Sequence, residues 1–198
     1  MKRTITALAA AVAVLAATAG PAMAKQPAAA AEPAGTIVDL AVGASSLEGP
    51  DTNGKDYDLL VAAVLATGLD DALAADTALT VFAPNDRAFQ RLVADLTGAE
   101  ELPSEAEALA AVLATFSPAQ ITSILLYHVT PGALDSGAVL SSGALTMLDG
   151  GTVTPMSPFR LVDETPALKD PKLVRQGIDL VATNGVIHTI DRVLVPAL

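Results

Sequence analysis

Two histidines, His128 and His188, are the side chains of this 198-residue sequence best suited to proton exchange near neutral pH. Zinc needs three or four ligands, with partners behind them that fix the ring orientation. The sequence holds no third histidine and no cysteine, and the two histidines form no ligand-spacing motif. No metal site and no cofactor are predicted. Hydrolytic chemistry finds as little support. There is no G-x-S-x-G elbow, and Ser141-Ser142-Gly143 reads as a loop. The carboxylates Asp70, Asp71, Asp163, Glu164 and Asp170 fall in polar stretches and read as solvated surface. Glu100 and Glu101, with Glu105 and Glu107, read as charges at helix starts that complement the dipole. No glycine-rich loop follows a strand and opens a helix, so nucleotide phosphates have no cradle. The chain is predicted not to be an enzyme.

The histidines invite a structural role instead. His128 follows an apolar helical stretch, where the negative end of the helix dipole favours it and hydrogen bonds can tie the helix to a sheet. His188 sits in a strand-like run. Strict alternation there puts Val186, His188 and Ile190 on one face and Ile187, Thr189 and Asp191 on the other. Asp191-Arg192 reads as half of an ion-pair network on the last strand.

The elements that position these residues change character along the chain. Tyr57 to Thr67 is predicted helical, with Leu60, Val61, Val64 and Leu65 on one stripe and Gly68 as its stop. Leu69 to Ala75 is a second short helix. Leu79 to Ala83 is β-type and leads into Pro84. Asn85 or Asp86 can cap the next helix, whose stripe is Phe89, Leu92, Val93 and Leu96, and which Gly98 ends. Ser104 with Glu107, and Ser117 with Gln120, spell two capping boxes. The helices they open point Leu109, Val112 and Leu113, then Ile121, Ile124 and Leu125, inward. Strands follow. Leu145 to Leu148 and Thr152 to Pro155 flank a hairpin signal, Asp149-Gly150-Gly151. Phe159 to Asp163 is a further candidate strand, in a region interrupted by Pro158, Pro166 and Pro171. Ile178 to Thr183 and Val186 to Val195 flank Asn184-Gly185, a type I′ turn signal. Helices first and strands later imply an α+β fold.

The N-terminus reads as an export signal. Lys2 and Arg3 precede an uncharged apolar run, Ile5 to Ala19, and Ala22-Met23-Ala24 fits a cleavage site. The predicted organisation is a signal peptide over 1–24, a flexible Pro/Ala-rich linker over 25–35 and one domain over 36–197. Loss of Lys2 and Arg3 takes the formal charge from -11 to -13. That acidity, without a basic cluster, argues against nucleic acid and anionic membrane surfaces as partners. The apolar run is too short for a stable membrane anchor. The expected location is secreted or periplasmic, with cleavage after Ala24. Four Phe, two Tyr and no Trp are a thin supply for stacked sugar platforms.

Three stretches in order resemble the boxes of the fasciclin (FAS1) domain family. The first runs from Thr80 to Phe89 and contains Phe82, Pro84, Asn85 and Asp86. The second is Leu126-Tyr127-His128-Val129 followed by Pro131-Gly132. The third runs from Asn184 to Pro196 and contains Gly185, His188 and Asp191. The resemblance covers about residues 36–197 and is poor between Met156 and Gly177. It implies a wedge-like β-sandwich with several helices packed on it, the first and last boxes lying together as core strands. It also implies a non-enzymatic role in cell-surface or matrix adhesion, by binding a protein or polysaccharide. By the same resemblance Tyr127 and His128 are a candidate binding motif, against the structural role argued above. The remaining box residues are expected to be structural. An alternative reading is a carrier or sensor of a small apolar ligand, which needs a pocket under the helices.

Overall fold

The computed structural model describes residues 33, 35–46, 49–74 and 77–197. The predicted signal segment, and all of the predicted linker except residues 33 and 35, lie outside the described residues.

The fold is α+β, built on a parallel pair of strands from opposite ends of the domain. Strand β1, Leu79–Pro84, runs beside β7, Gly185–Ile190, with Phe82 opposite His188. Short antiparallel strands flank this pair: β2, Val129–Pro131, on β1, and β6, Leu180–Ala182, on β7. Every residue of β1 and β7 is buried. Such strands need apolar side chains on both faces, which explains their Leu, Val, Phe, Ala and Ile content; the buried polar exceptions are Thr80, His188 and Thr189.

Alternation then splits the core in two. Val81, Ala83 and Ile187 face a layer of six helices: α1 (Ile37–Gly43), α2 (Asp58–Thr67), α3 (Asp70–Ala74), α4 (Asp86–Thr97), α5 (Glu105–Thr115) and α6 (Pro118–Leu126). Phe82 and Ile190 face the other way. They pack on a second antiparallel sheet of β3 (Leu145–Thr146), β4 (Thr152–Met156) and β5 (Arg160–Val162), through Leu145, Val153 and Leu161. A short helix, α7 (Ser136–Ser141), supplies Val139 to that second cluster.

The helix starts follow local chemistry. Ser104 and Ser117 each accept from the backbone three residues on, and Glu107 and Gln120 each reach back to the cap. Asn85, rather than Asp86, caps α4, accepting from Ala88 N at 3.0 Å. A third box, Thr36 with Asp39, opens α1.

Three leucines depart from the expected stripes. Leu65, Leu96 and Leu113 are exposed. Leu65 and Leu113 each lie one residue past a buried valine, Val64 and Val112, and so turn about 100° off the packed arc. Leu96 keeps its stripe but sits in the last turn of α4, among exposed residues.

The expected type I′ turn at Asn184-Gly185 is not formed. Ala182 pairs with Gly185, so the loop residues are Thr183 and Asn184, and Gly185 is already the first residue of β7. Between Met156 and Gly177 the strand content is β5 alone, preceded by a cis Ser157–Pro158 peptide. Two isolated bridges, Arg160 to Lys172 and Leu173 to Ile190, hold the following segment.

Candidate functional site

The second and third boxes meet at the end of α6. Tyr127 is its C-cap, and the chain turns from there into β2. Tyr127 and His128 point to opposite layers of the core, and neither side chain reaches the surface: they are 0% and 2% exposed.

His128 spends both ring nitrogens on backbone. Leu194 N–H donates to Nε2 at 2.9 Å, so Nε2 carries no proton. Nδ1 then holds the proton and donates to Ile124 O at 2.6 Å. The ring is a neutral, fixed tautomer that joins the last turn of α6 to the segment after β7. Burial disfavours its charged form and pulls its pKa down to about 4. The carbonyl of His128 accepts from Phe82 N at 2.9 Å, which ties the same corner to β1.

Tyr127 reaches the second sheet. Its hydroxyl donates to Thr152 O at 2.6 Å and accepts from Glu164 N at 3.1 Å. Burial raises its pKa. Gly151 lies against the ring: a Cβ there would stand 2.7 Å from Tyr127 Cε2. Gly151 is thus needed for tyrosine packing, while Gly150, at φ +98°, serves the turn of the β3–β4 hairpin.

His188 is also enclosed. Asp179 N–H donates to Nδ1 at 3.2 Å, and Nε2 donates to Leu134 O at 2.9 Å. Its ring leans on Phe82 with centroids 5.9 Å apart. No nitrogen of either histidine is left for a ligand or a proton relay.

The remaining box residues are pieces of scaffold. Thr80 Oγ1 donates to Gly132 O at 2.6 Å and accepts from Leu134 N at 2.8 Å. Asn184 accepts from Ile37 N and donates to Leu73 O, each at 2.8 Å, tying the β6–β7 loop to α1 and α3. Gly185 lets β1 approach, since a Cβ there would lie 2.0 Å from Leu79 O. Asp86 takes the first N–H groups of α2, from Asp58 at 3.1 Å and Leu59 at 2.8 Å. Pro84 closes β1, and Phe89 is buried in the helical cluster. Asp191 pairs with Arg91 of α4 at 3.5 Å, and Arg192 pairs with Asp95 of the same helix.

This pattern, with three boxes converging on one parallel strand pair, can be set against known proteins. The fasciclin domain model matches residues 55–196. The chain belongs to the fasciclin domain family. Among its relatives, protein sll1483 of the cyanobacterium Synechocystis is 32% identical over 161 residues, covering 81% of this chain and 73% of that one. Transforming growth factor-beta-induced protein ig-h3 of the pig is 36% identical over 140 residues, or 71% of this chain but only 18% of the larger protein. A solved FAS1 domain pair from the insect cell adhesion molecule fasciclin I superposes with a TM-score of 0.55 at 19% identity, over 84% of this chain and 51% of that one. The fold is therefore that of a single fasciclin domain.

Two carboxylates depart from their sequence readings. Asp163, expected in solvent, is half-buried and accepts from Thr165 N and Val195 N. Burial raises its pKa. Glu105, expected as a helix-start charge, is 1% exposed and faces other acids. A lone glutamate at the first position of a helix carries no sequence signal for this, because its partners lie in the loop before α2.

An apolar cleft lies between α1, α2 and the main sheet, lined by Ile37, Val42, Val61, Val64, Leu73 and Val81 among others. It holds about 50 Å³. Pockets for small molecules run to about 300 Å³ and more.

Proposed function

We propose that this fasciclin domain is an exported, non-catalytic binding module that attaches to a surface or matrix partner, a protein or a polysaccharide. Family membership carries the reading, because the solved fasciclin pair it resembles comes from a cell adhesion molecule. The geometry supports it from a second side. The two histidines and Tyr127, the side chains best suited to chemistry, are committed to backbone groups. Since Tyr127 and His128 are buried, their part in recognition is to hold the surrounding surface in shape. The carrier reading gains nothing from the cleft, whose volume is far below that of a ligand pocket.

The test is a titration of labelled, purified protein onto intact cells and extracted matrix. Saturable binding that survives removal of nucleic acid supports the proposal. Absence of saturable binding to either material overturns it.

A further inference from the structure

The loop before α2 and the starts of α2, α4 and α5 bring five carboxylates together. Asp51, Asp56 and Asp58 form one group and Asp56, Asp86 and Glu105 a second, with ligand oxygens in each group within 4.8 Å of one another. Two oxygens on opposite sides of a Ca²⁺ ion stand about 4.8 Å apart, given Ca–O distances near 2.4 Å. None of the ion pairs among the described residues involves these acids.

Proximity alone would be an acidic patch. The orientation of individual oxygens makes it more. Asp58 Oδ1 accepts from Ser46 N at 2.5 Å, while its Oδ2 is buried without a partner. Asp56 Oδ2 accepts from Asn53 Nδ2 at 3.0 Å, while its Oδ1 is buried without a partner. Glu105 Oε2 accepts from Asp51 N at 2.7 Å, while its Oε1 is buried without a partner. In each residue one oxygen anchors the side chain and the other is buried and unpaired. These three residues are 8%, 4% and 1% exposed. Each carboxylate is hydrogen-bonded through one oxygen only, and none has a counter-ion among the described residues; acids buried side by side repel one another, which a cation between them would relieve.

We propose that these residues form a binding site for a hard divalent cation, Ca²⁺, held by the unpartnered oxygens of Asp56, Asp58 and Glu105 with Asp51 and Asp86 completing the shell. Carboxylate oxygens in a flexible, irregular arrangement suit Ca²⁺ better than Mg²⁺, which demands a near-octahedral shell and keeps its waters. The site crosslinks the loop to the N-termini of α2, α4 and α5.

The experiment starts from the whole purified protein, stripped with a chelator and desalted. Calorimetric titration with Ca²⁺ is expected to show saturable uptake. Saturating Ca²⁺ is expected to raise Tm by about 5 °C or more, beyond NaCl at matched ionic strength. Glu105→Gln and Asp58→Asn should each abolish the shift. Glu105→Gln should also raise the Tm of the ion-free protein, because a neutral amide can donate into the cluster. The exposed pair Glu100→Gln/Glu101→Gln should leave the shift intact. No heat of binding in the wild-type titration overturns the proposal, whether or not the variants fold. A Ca²⁺ shift that persists in both Glu105→Gln and Asp58→Asn overturns it as well.

Discussion

His128 Nε2 accepts the backbone N–H of Leu194 at 2.9 Å, so the segment after β7 hangs on the last turn of α6. Removing the ring as His128→Ala strands two buried backbone groups, Leu194 N–H and Ile124 C=O, and opens a void. Unpaired buried groups cost about 1–3 kcal/mol each. Urea denaturation should show a loss of about 3 kcal/mol. A loss near zero would mean that water or a shifted side chain satisfies both groups.

The same ring makes a pH prediction. Its folded pKa is pulled down to about 4 from an ordinary 6.5. Between these values the unfolded chain binds the proton and the folded one does not, so stability falls as pH drops from about 6.5 to about 4. The contribution of the ring is fully present above 6.5. A separation of this size corresponds to about 3 kcal/mol. Buried acids with raised pKa values act in the opposite direction, so the quantity to read is the difference between wild type and His128→Gln, which cannot titrate. That difference should shrink steadily as pH falls through this window. A difference that stays flat would show that the folded ring accepts a proton as readily as the unfolded one.

Asn184 makes the next case. Its amide bridges Ile37 N and Leu73 O. Asn184→Ala should cost about 2–4 kcal/mol from the two stranded groups. Asn184→Asp can still accept from Ile37 N but presents an oxygen to Leu73 O, and should be nearly as damaging. Equilibrium urea melts on both variants check this, and an undiminished Asn184→Asp would show that the Leu73 contact contributes little.

Asn184 also shows where sequence reading reached its limit. The Asn-Gly pair suggests a turn that needs positive φ, but the asparagine is there for α1 and α3, and the glycine for the approach of β1. Those partners lie more than a hundred residues away, beyond the reach of local pattern. The capping boxes at Ser104 and Ser117 were legible because both partners lie within one turn. That β1 and β7 lie together in the core was legible through family resemblance, and the largely apolar character of both runs agrees with it; their parallel direction was not. Glu105 was misread for the same reason as Asn184. Its helix-start position is local, whereas the N–H that anchors its carboxylate belongs to Asp51, fifty-four residues earlier.

Tyr127 separates scaffold from recognition. Tyr127→Phe keeps the ring packed on Gly151 but removes the hydroxyl that bonds Thr152 O and Glu164 N. A loss of about 1–3 kcal/mol is expected, seen as a Tm several degrees lower. Binding to cells or matrix, measured well below that Tm, should stay within about twofold of wild type, since a buried hydroxyl offers a partner no contact and twofold is only about 0.4 kcal/mol. The opposite outcome, unchanged Tm with binding lost, would require the ring to leave its pocket when the partner arrives. The hairpin of Gly150 and Gly151 would then have to open, and hydrogen exchange at Thr152 N–H and Glu164 N–H would accelerate on binding.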